Sequence, residues 1–194
     1  MFIGCAQWAI TLGRMDIVYA TTMLSRYIMA PRETHTAAMK KLFGYLKSHV
    51  KGKIPFDKRP LDMPHATYLE SASWTQTYGD FKEEVPPGCP EPKMKPIDIT
   101  VYFDASFACD LITRRSVTGM IVFLGSTSMR WHCKKQNTVE MSTYGAEIVA
   151  GQLGVEAVLE FRYVLRMLSV QIIGPTRILG DNMSVIQDCS LPGS

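Results

Sequence analysis

The reading turns on Ile97-Asp98-Ile99-Thr100-Val101-Tyr102-Phe103-Asp104-Ala105-Ser106-Phe107-Ala108. Ile97, Ile99, Val101 and Phe103 alternate with Asp98, Thr100, Tyr102 and Asp104, the period of a strand with one buried and one open face. Asp104 therefore falls on the open face, near the strand's end. Glu147, in Ser142-Thr143-Tyr144-Gly145-Ala146-Glu147, is expected in the first turn of a helix, and Asp181, in Ile178-Leu179-Gly180-Asp181-Asn182, at the end of a short strand. Only tertiary folding can bring such distant positions together. Carboxylates gathered in this way repel one another unless divalent cations neutralise them. Each also has an ordinary alternative. Asp104 can form a turn, Glu147 can answer a helix dipole, and Asp181-Asn182 can cap the last helix.

Outward from this stretch, the segment on its C-terminal side reads as strands, then helix, strand and helix. Cys109 to Gly119 makes a turn, Met120 to Leu124 a second strand, Gly125-Ser126-Thr127-Ser128 a turn, and Met129 to Lys135 a third strand, which together form an antiparallel meander. Ser142 and Thr143 are N-cap candidates for a helix running to about Leu168, with Gly151 or Gly154 as bend points. Small residues at 151 and 154, between Glu147 and Val158, predict close packing of that helix on the sheet. Arg177 to Gly180 is a fourth strand, and Asn182 can cap a final helix. A meander followed by a crossover helix and a further strand predicts a mixed α/β sheet with packed helices.

On the N-terminal side, prolines at 55, 60, 64, 86, 87, 90, 92 and 96 remove donors and fix the backbone, so residues 51–96 read as a proline-rich linker or insertion. Tyr68, Trp74, Tyr78 and Phe81 give it aromatic groups with which to pack on a neighbour. Residues 1–50 read as a small helical segment. Phe2 to Leu12 ends in Gly13, Asp16 to Tyr27 is stopped by Pro31, and a third helix carries Ala38, Leu42, Tyr45 and Leu46 on one face. Lys40, Lys41 and Lys47 on the other face read as solvated surface.

With 194 residues, 46% of them hydrophobic and 20% charged, the chain can bury one core plus a smaller appendage, and global disorder and collagenous repeats are excluded. A net charge of +3 permits a polyanionic partner without demanding one. The five cysteines (5, 89, 109, 133 and 189) form no Cys-x-x-Cys pair and no zinc spacing, which predicts free thiols in a reducing, cytoplasmic setting. The uncharged N-terminal run stops at Arg14, short of the roughly 20 residues of a membrane span, so no membrane partner is expected.

Four ordered motifs carry a family resemblance: Asp104-Ala-Ser-Phe-Ala108, Thr113-Arg-Arg-Ser-Val-Thr-Gly119, Arg130-Trp-His-Cys-Lys-Lys-Gln-Asn137 running on to Glu147, and Gly180-Asp-Asn182. In that order they resemble the ribonuclease H domain of copia-type retrotransposon polyproteins, over residues 97–194. Ile3-Gly-Cys-Ala-Gln-Trp-Ala9, Arg14-Met-Asp-Ile17, Leu24-Ser-Arg-Tyr27 and Pro31-Arg-Glu-Thr-His35 are similar to the helical tail of the preceding reverse transcriptase.

The resemblance implies a ribonuclease H-like fold and hydrolysis of the RNA strand of an RNA/DNA hybrid. It assigns Asp104, Glu147 and Asp181 as catalytic metal ligands for two magnesium ions, with manganese as a substitute. One ion generates hydroxide and the other stabilises the leaving 3′ oxygen. It also implies a reverse transcriptase domain of the same polyprotein as partner and adds a virus-like particle as an alternative setting. Arg114, Arg115, Lys134, Lys135, Gln136 and Asn137 are candidates to hold duplex phosphates, with solvated strand ends as their alternative. Trp131 reads as a strand-face aromatic.

Three departures from the family pattern stand out. Gly180 replaces the usual cysteine, Ser106 replaces a common aspartate, and the fourth acidic residue of such sites is expected beyond Ser194, which makes the domain incomplete at its C-terminus. Asp188 and Asp110 are poor replacements. A catalytically inactive nucleic-acid-binding or scaffold remnant is the first alternative function. A DNA-cutting enzyme of the same fold, such as an integrase, is the second, and the Lys134-Lys135-Gln136 motif argues against it.

Overall fold

In the computed structural model the alternating stretch becomes β1 (Ile99–Ser106), and its neighbours follow the predicted order. The remaining elements of this half are β2 (Val117–Leu124), β3 (Thr127–Lys135), α5 (Thr143–Met167), β4 (Arg177–Leu179) and α6 (Met183–Ser190). Ahead of them come α1 (Phe2–Thr11), a single 3-10 turn (Met15–Ile17), α2 (Val18–Ser25), α3 (Glu33–Ser48) and the short α4 (Trp74–Tyr78). The structure describes residues 2–64, 66, 74–80 and 83–191. Tyr68 and Phe81 lie outside the described residues, as does the side chain of Trp74.

The sheet is mixed and four-stranded, in the order β3-β2-β1-β4. β1 pairs antiparallel with β2, placing Val101 opposite Val122 and Asp104 opposite Gly119. β2 pairs antiparallel with β3, placing Gly119 opposite Cys133. β4 is parallel to β1, as a crossover through α5 requires. Ile99, Val101, Met120 and Val122 bury one face of the sheet against Ala157, Val158 and Leu165 of α5. Tyr102, Asp104, Ile121 and Trp131 belong to the opposite face by the same pleat.

The α5 helix lies close to the sheet because glycine permits it. A Cβ on Gly154 would stand 3.6 Å from Val101 Cγ1, and one on Gly151 would stand 3.4 Å from the Phe103 ring. The helix runs unbroken through both positions. A second, smaller core joins Ala6, Ile17 and Leu42 of the N-terminal helices. Lys40, Lys41 and Lys47 are exposed on α3. The helical part touches the sheet at its outer strand, where Thr22 Oγ1 donates to Cys133 O at 3.0 Å.

Described residues of the proline-rich stretch are strapped down at several points. Ile54 packs on Gly13, and Gly52 lies against Arg14. Asp57 N donates to Thr127 Oγ1 at 2.7 Å, and Ser126 N donates to Asp57 O at 3.1 Å. Farther on, Glu83 receives both Arg162 and Arg166 of α5, with shortest contacts of 2.5 and 2.6 Å. Lys93 N and Met94 N then donate to Ser169 O. Regular structure among the described residues of this stretch is confined to the short α4, and backbone groups of Asp57, Lys93 and Met94 find partners on the sheet and just beyond α5. Among the described residues, no helix is long and apolar enough to cross a membrane.

Candidate active site

Asp104, Glu147 and Asp181 converge, each offering a carboxylate oxygen so that all three oxygens lie within 4.8 Å of one another. The local fold explains why none of the three is spent on capping a helix. Ser142 caps α5 by accepting from Gly145 N at 3.1 Å, which fixes the helix start at Thr143 and puts Glu147 in the second turn, beyond the first-turn position expected from sequence. A helix-dipole role for Glu147 is therefore ruled out by position. Asn182 caps α6, accepting from Ser184 N and Val185 N at 3.1 and 3.3 Å, so Asp181 has no capping duty. Asp104 lies within β1, two residues before the strand ends at Ser106.

The electrostatics of the three groups differ. Asp104 and Asp181 are exposed, whereas Glu147 is only 5% exposed. Glu147 Oε1 accepts from Ala105 N at 3.2 Å, and Oε2 is buried without a partner. Burial pushes the Glu147 carboxyl above its ordinary range, the Ala105 N–H opposes this, and the charges of Asp104 and Asp181 push it further up. A buried carboxylate with one oxygen lacking a donor, clustered with two more carboxylates, is what a cation-binding donor set looks like before its cation is counted. The all-oxygen ligands suit a hard cation such as magnesium or manganese.

A groove of about 970 Å³ runs from Asp104 and Asp181 across the open face of the sheet, past Gly119 and Trp131, to Val18 and Tyr19 of α2. Trp131 is thus a strand-face aromatic lining the groove. Behind the site, Phe103 is wedged between glycines. A Cβ on Gly180 would stand 2.6 Å from Phe103 Cζ, and Gly151 faces the ring on its helix side. Glycine at 180, where the resemblance led one to expect cysteine, is therefore the residue that leaves room for this phenylalanine.

The six predicted phosphate-holding residues separate. Arg114, Lys134 and Asn137 are exposed, and Arg115 is half-buried. Lys135 is half-buried, its Nζ 3.0 Å from Asp110 Oδ2. Gln136 requires a correction. It is only 5% exposed, and its Nε2 donates to Thr118 Oγ1 at 3.0 Å and to Ala146 O at 2.9 Å. Both amide hydrogens are spent tying β3 and β2 to the first turn of α5, so Gln136 positions the Glu147 helix instead of facing a ligand.

Asp110 stands outside the carboxylate cluster, accepting from Ile112 N and Thr113 N and paired with Lys135. Asp188 accepts from Tyr144 Oη at 2.6 Å. Sequence reasoning missed the Ala105 N–H that anchors Glu147. A backbone donor has no residue signature, and only the meeting of the helix with the strand reveals it.

Several known proteins resemble the chain. It is 25% identical over 190 residues to the retrovirus-related Pol polyprotein from transposon RE1 of Arabidopsis thaliana, an alignment spanning 98% of this chain and 10% of that polyprotein. The corresponding polyprotein from transposon TNT 1-94 of Nicotiana tabacum is 24% identical over 148 residues, 76% of this chain and 8% of the polyprotein. This chain is similar to a stretch of transposon Pol polyproteins. It also aligns with Secreted RxLR effector protein 161 of Plasmopara viticola, at 27% identity over 149 residues, 76% of this chain and 80% of that one. No family model and no solved structure matches it. The chain thus corresponds to a short stretch, a tenth or so, of the polyproteins it resembles.

Proposed function

We propose that this chain is the ribonuclease H part of a transposon Pol polyprotein and hydrolyses the RNA strand of RNA/DNA hybrids during reverse transcription. The observation that carries the reading is the convergence of Asp104, Glu147 and Asp181 within 4.8 Å at the end of an open groove, with one oxygen of the buried member left over. On this reading residues 97–194 are a ribonuclease H-like domain, residues 1–50 are the tail of the reverse transcriptase that precedes it, and residues 51–96 connect the two. The rest of that reverse transcriptase is its partner, in a cytoplasmic setting.

Asp104, Glu147 and Asp181 would hold magnesium ions, or manganese in their place, which would supply charge to offset the three carboxylates and to activate water for attack on a phosphodiester. The chain's own residues do the rest. Glu147 is held from behind by Ala105 N–H, and Gln136 fixes the helix turn that carries it. Asp104 and Asp181, being exposed, leave the front of the site open to a phosphate on a duplex lying over the groove. Lys134, Asn137 and Arg114 can meet other phosphates from outside, which gives affinity without sequence preference. Discrimination for a hybrid then comes from groove shape and 2′ hydroxyls.

The test is cleavage of an end-labelled RNA/DNA hybrid by the whole chain in magnesium, beside an Asp104→Asn variant and a DNA duplex. The expected result is cutting of the RNA strand alone, lost in the variant. A folded chain that leaves the hybrid intact, or that cuts the DNA strand, overturns the reading.

A further inference from the structure

We propose that the outer face of α5 is a homodimer surface, on which a second copy of this chain docks through its own α5, side by side and in the same direction. The helix has two apolar sides. Ala150, Gly154 and Ala157 are buried toward the sheet. On the other side Val155, Leu159, Tyr163 and Met167 recur every four residues and are 46, 59, 48 and 44% exposed. A surface helix sets charged and polar groups opposite its buried stripe, and one that is apolar on both sides is normally covered on both. The exposed stripe lies away from the carboxylate groove, because α5 packs on the other face of the sheet. Covering it leaves the groove open.

The area of the stripe fits a dimer. The four exposed fractions amount to roughly 350–400 Å² of apolar surface, as large as the patches that on single chains are often functional. Homodimer interfaces are about 65% apolar, so a patch of this size implies roughly 550–600 Å² buried per copy, or about 1,100–1,200 Å² in all. That exceeds the ~1,000 Å² a specific contact needs but stays at the low end, which predicts a dimer dissociating in the micromolar range.

Charge selects the partner and its direction. Glu160 borders the stripe on the β3 side, where it pairs with Arg130, and Glu156 lies one turn before it. Arg162 and Arg166 border the other side, where both hold Glu83, and Arg162 also donates to Gly174 O and Thr176 Oγ1 just ahead of β4. One border therefore has two acids to one base, and the other two bases to one acid. When two such helices lie parallel about a two-fold axis, each border meets the opposite border of the partner, and the excess charges attract twice over. Antiparallel helices would set like border against like. The acid-rich border also repels nucleic acid and anionic lipid, the other occupants an exposed apolar stripe could have.

The test is sedimentation equilibrium of the whole chain as wild type, Leu159→Glu, Leu159→Lys and Leu111→Glu. Leu111, 85% exposed in the turn after β1, controls for general stickiness. Wild type and Leu111→Glu are expected to form dimers of the same micromolar affinity. Each Leu159 variant should dimerise at least about 100-fold more weakly, because the parallel pair sets position 159 against itself and so brings like charges together. Mixing Leu159→Glu with Leu159→Lys should then restore a dimer. Position 159 is exposed, so both variants should keep the wild-type circular dichroism, with a Tm that no longer rises with protein concentration as that of wild type does.

A wild type that stays monomeric well above micromolar concentration overturns the proposal and leaves the α5 face to another segment of a Pol polyprotein. A dimer that survives Leu159→Glu, or that Leu111→Glu weakens equally, overturns it too. Failure of the two Leu159 variants to restore one another overturns the parallel arrangement. Should the Leu159 variants not fold, Tyr163→Glu and Tyr163→Lys repeat the test one turn on, with the same outcomes. None of these results depends on hybrid cleavage, so the dimer and the nuclease reading fail separately.

Discussion

Glu147→Gln should make the protein more stable in metal-free buffer while abolishing the proposed hydrolysis. Glu147 is 5% exposed, spends one oxygen on Ala105 N–H and buries the other unpaired, with oxygens of Asp104 and Asp181 within 4.8 Å. At that separation each like-charge pair costs about 0.9 kcal/mol in a water-like dielectric and about 3.5 kcal/mol at an effective constant of 20. Because Asp104 and Asp181 are exposed, the lower end applies, and relief of two pairs gives a net gain of about 1–3 kcal/mol. Glutamine also offers amide hydrogens to the neighbouring carboxylates.

For a chain of this size the gain amounts to a rise in Tm of roughly 2–10 °C. The assay is thermal unfolding in EDTA at pH 8, followed by a magnesium titration. Magnesium at ten times its Kd should stabilise wild type by about 1.4 kcal/mol and the variant by much less, narrowing or reversing the order. A variant less stable than wild type in EDTA refutes the reasoning, since it would mean that the carboxylate is favourably paired in the fold itself.

The strap at Glu83 should be acid-labile. Arg166 and Arg162 hold the Glu83 carboxyl down to about 2 from 4.5, so its stabilisation is complete above about pH 4.5 and is lost as the pH falls toward 2. That lowering corresponds to roughly 3 kcal/mol at most, and with the Glu83 side chain 37% exposed, screening reduces it to about 1–2 kcal/mol. Urea unfolding from pH 2 to 7 should show wild type and Glu83→Gln converging in acid and separating by that amount at neutrality. A constant gap across the range would exclude the ion pair as its cause. Gly180→Ala should cost about 1–3 kcal/mol by driving a Cβ into Phe103, a cost relieved by Phe103→Leu. Denaturant unfolding of the single and double variants checks the coupling, and additive effects would refute the wedge.

How much of this was legible in the sequence depended on the kind of interaction. β1 was readable because a half-buried strand imposes period two on its residues, and Val101 and Ile99 do sit on the α5 side. The carboxylate cluster was readable because three motifs appeared in a known order, while no single spacing predicted it. Gln136 was misread because a run of Lys134, Lys135, Gln136 and Asn137 looks like surface throughout. Residue types alone do not tell which member faces inward to meet α5. The straps of the proline-rich stretch were invisible for another reason: several rest on backbone groups such as Asp57 O and Ser169 O, which every residue possesses.

The cluster depends on a division of labour between adjacent residues, and this leads to a last prediction. Asn182 satisfies Ser184 N and Val185 N, so the neighbouring Asp181 stays free for the groove. Aspartate is as good an N-cap as asparagine, and an uncapped α6 would compete for Asp181. Asn182→Ala removes no carboxylate, yet it should weaken magnesium binding, because turning Asp181 toward the helix recovers part of the roughly 1 kcal/mol that a lost cap costs. Asn182→Asp, which keeps an acceptor at the cap, should preserve both affinity and stability far better. Calorimetric magnesium titration beside thermal unfolding separates the outcomes. If Asn182→Ala loses the full capping energy while binding magnesium as wild type does, then Asp181 is held in the cluster by contacts of its own and the division of labour is refuted. If affinity falls while stability drops by less than a full cap, the helix has drawn Asp181 out of the site, showing that a residue without a charge governs the acidic cluster beside it.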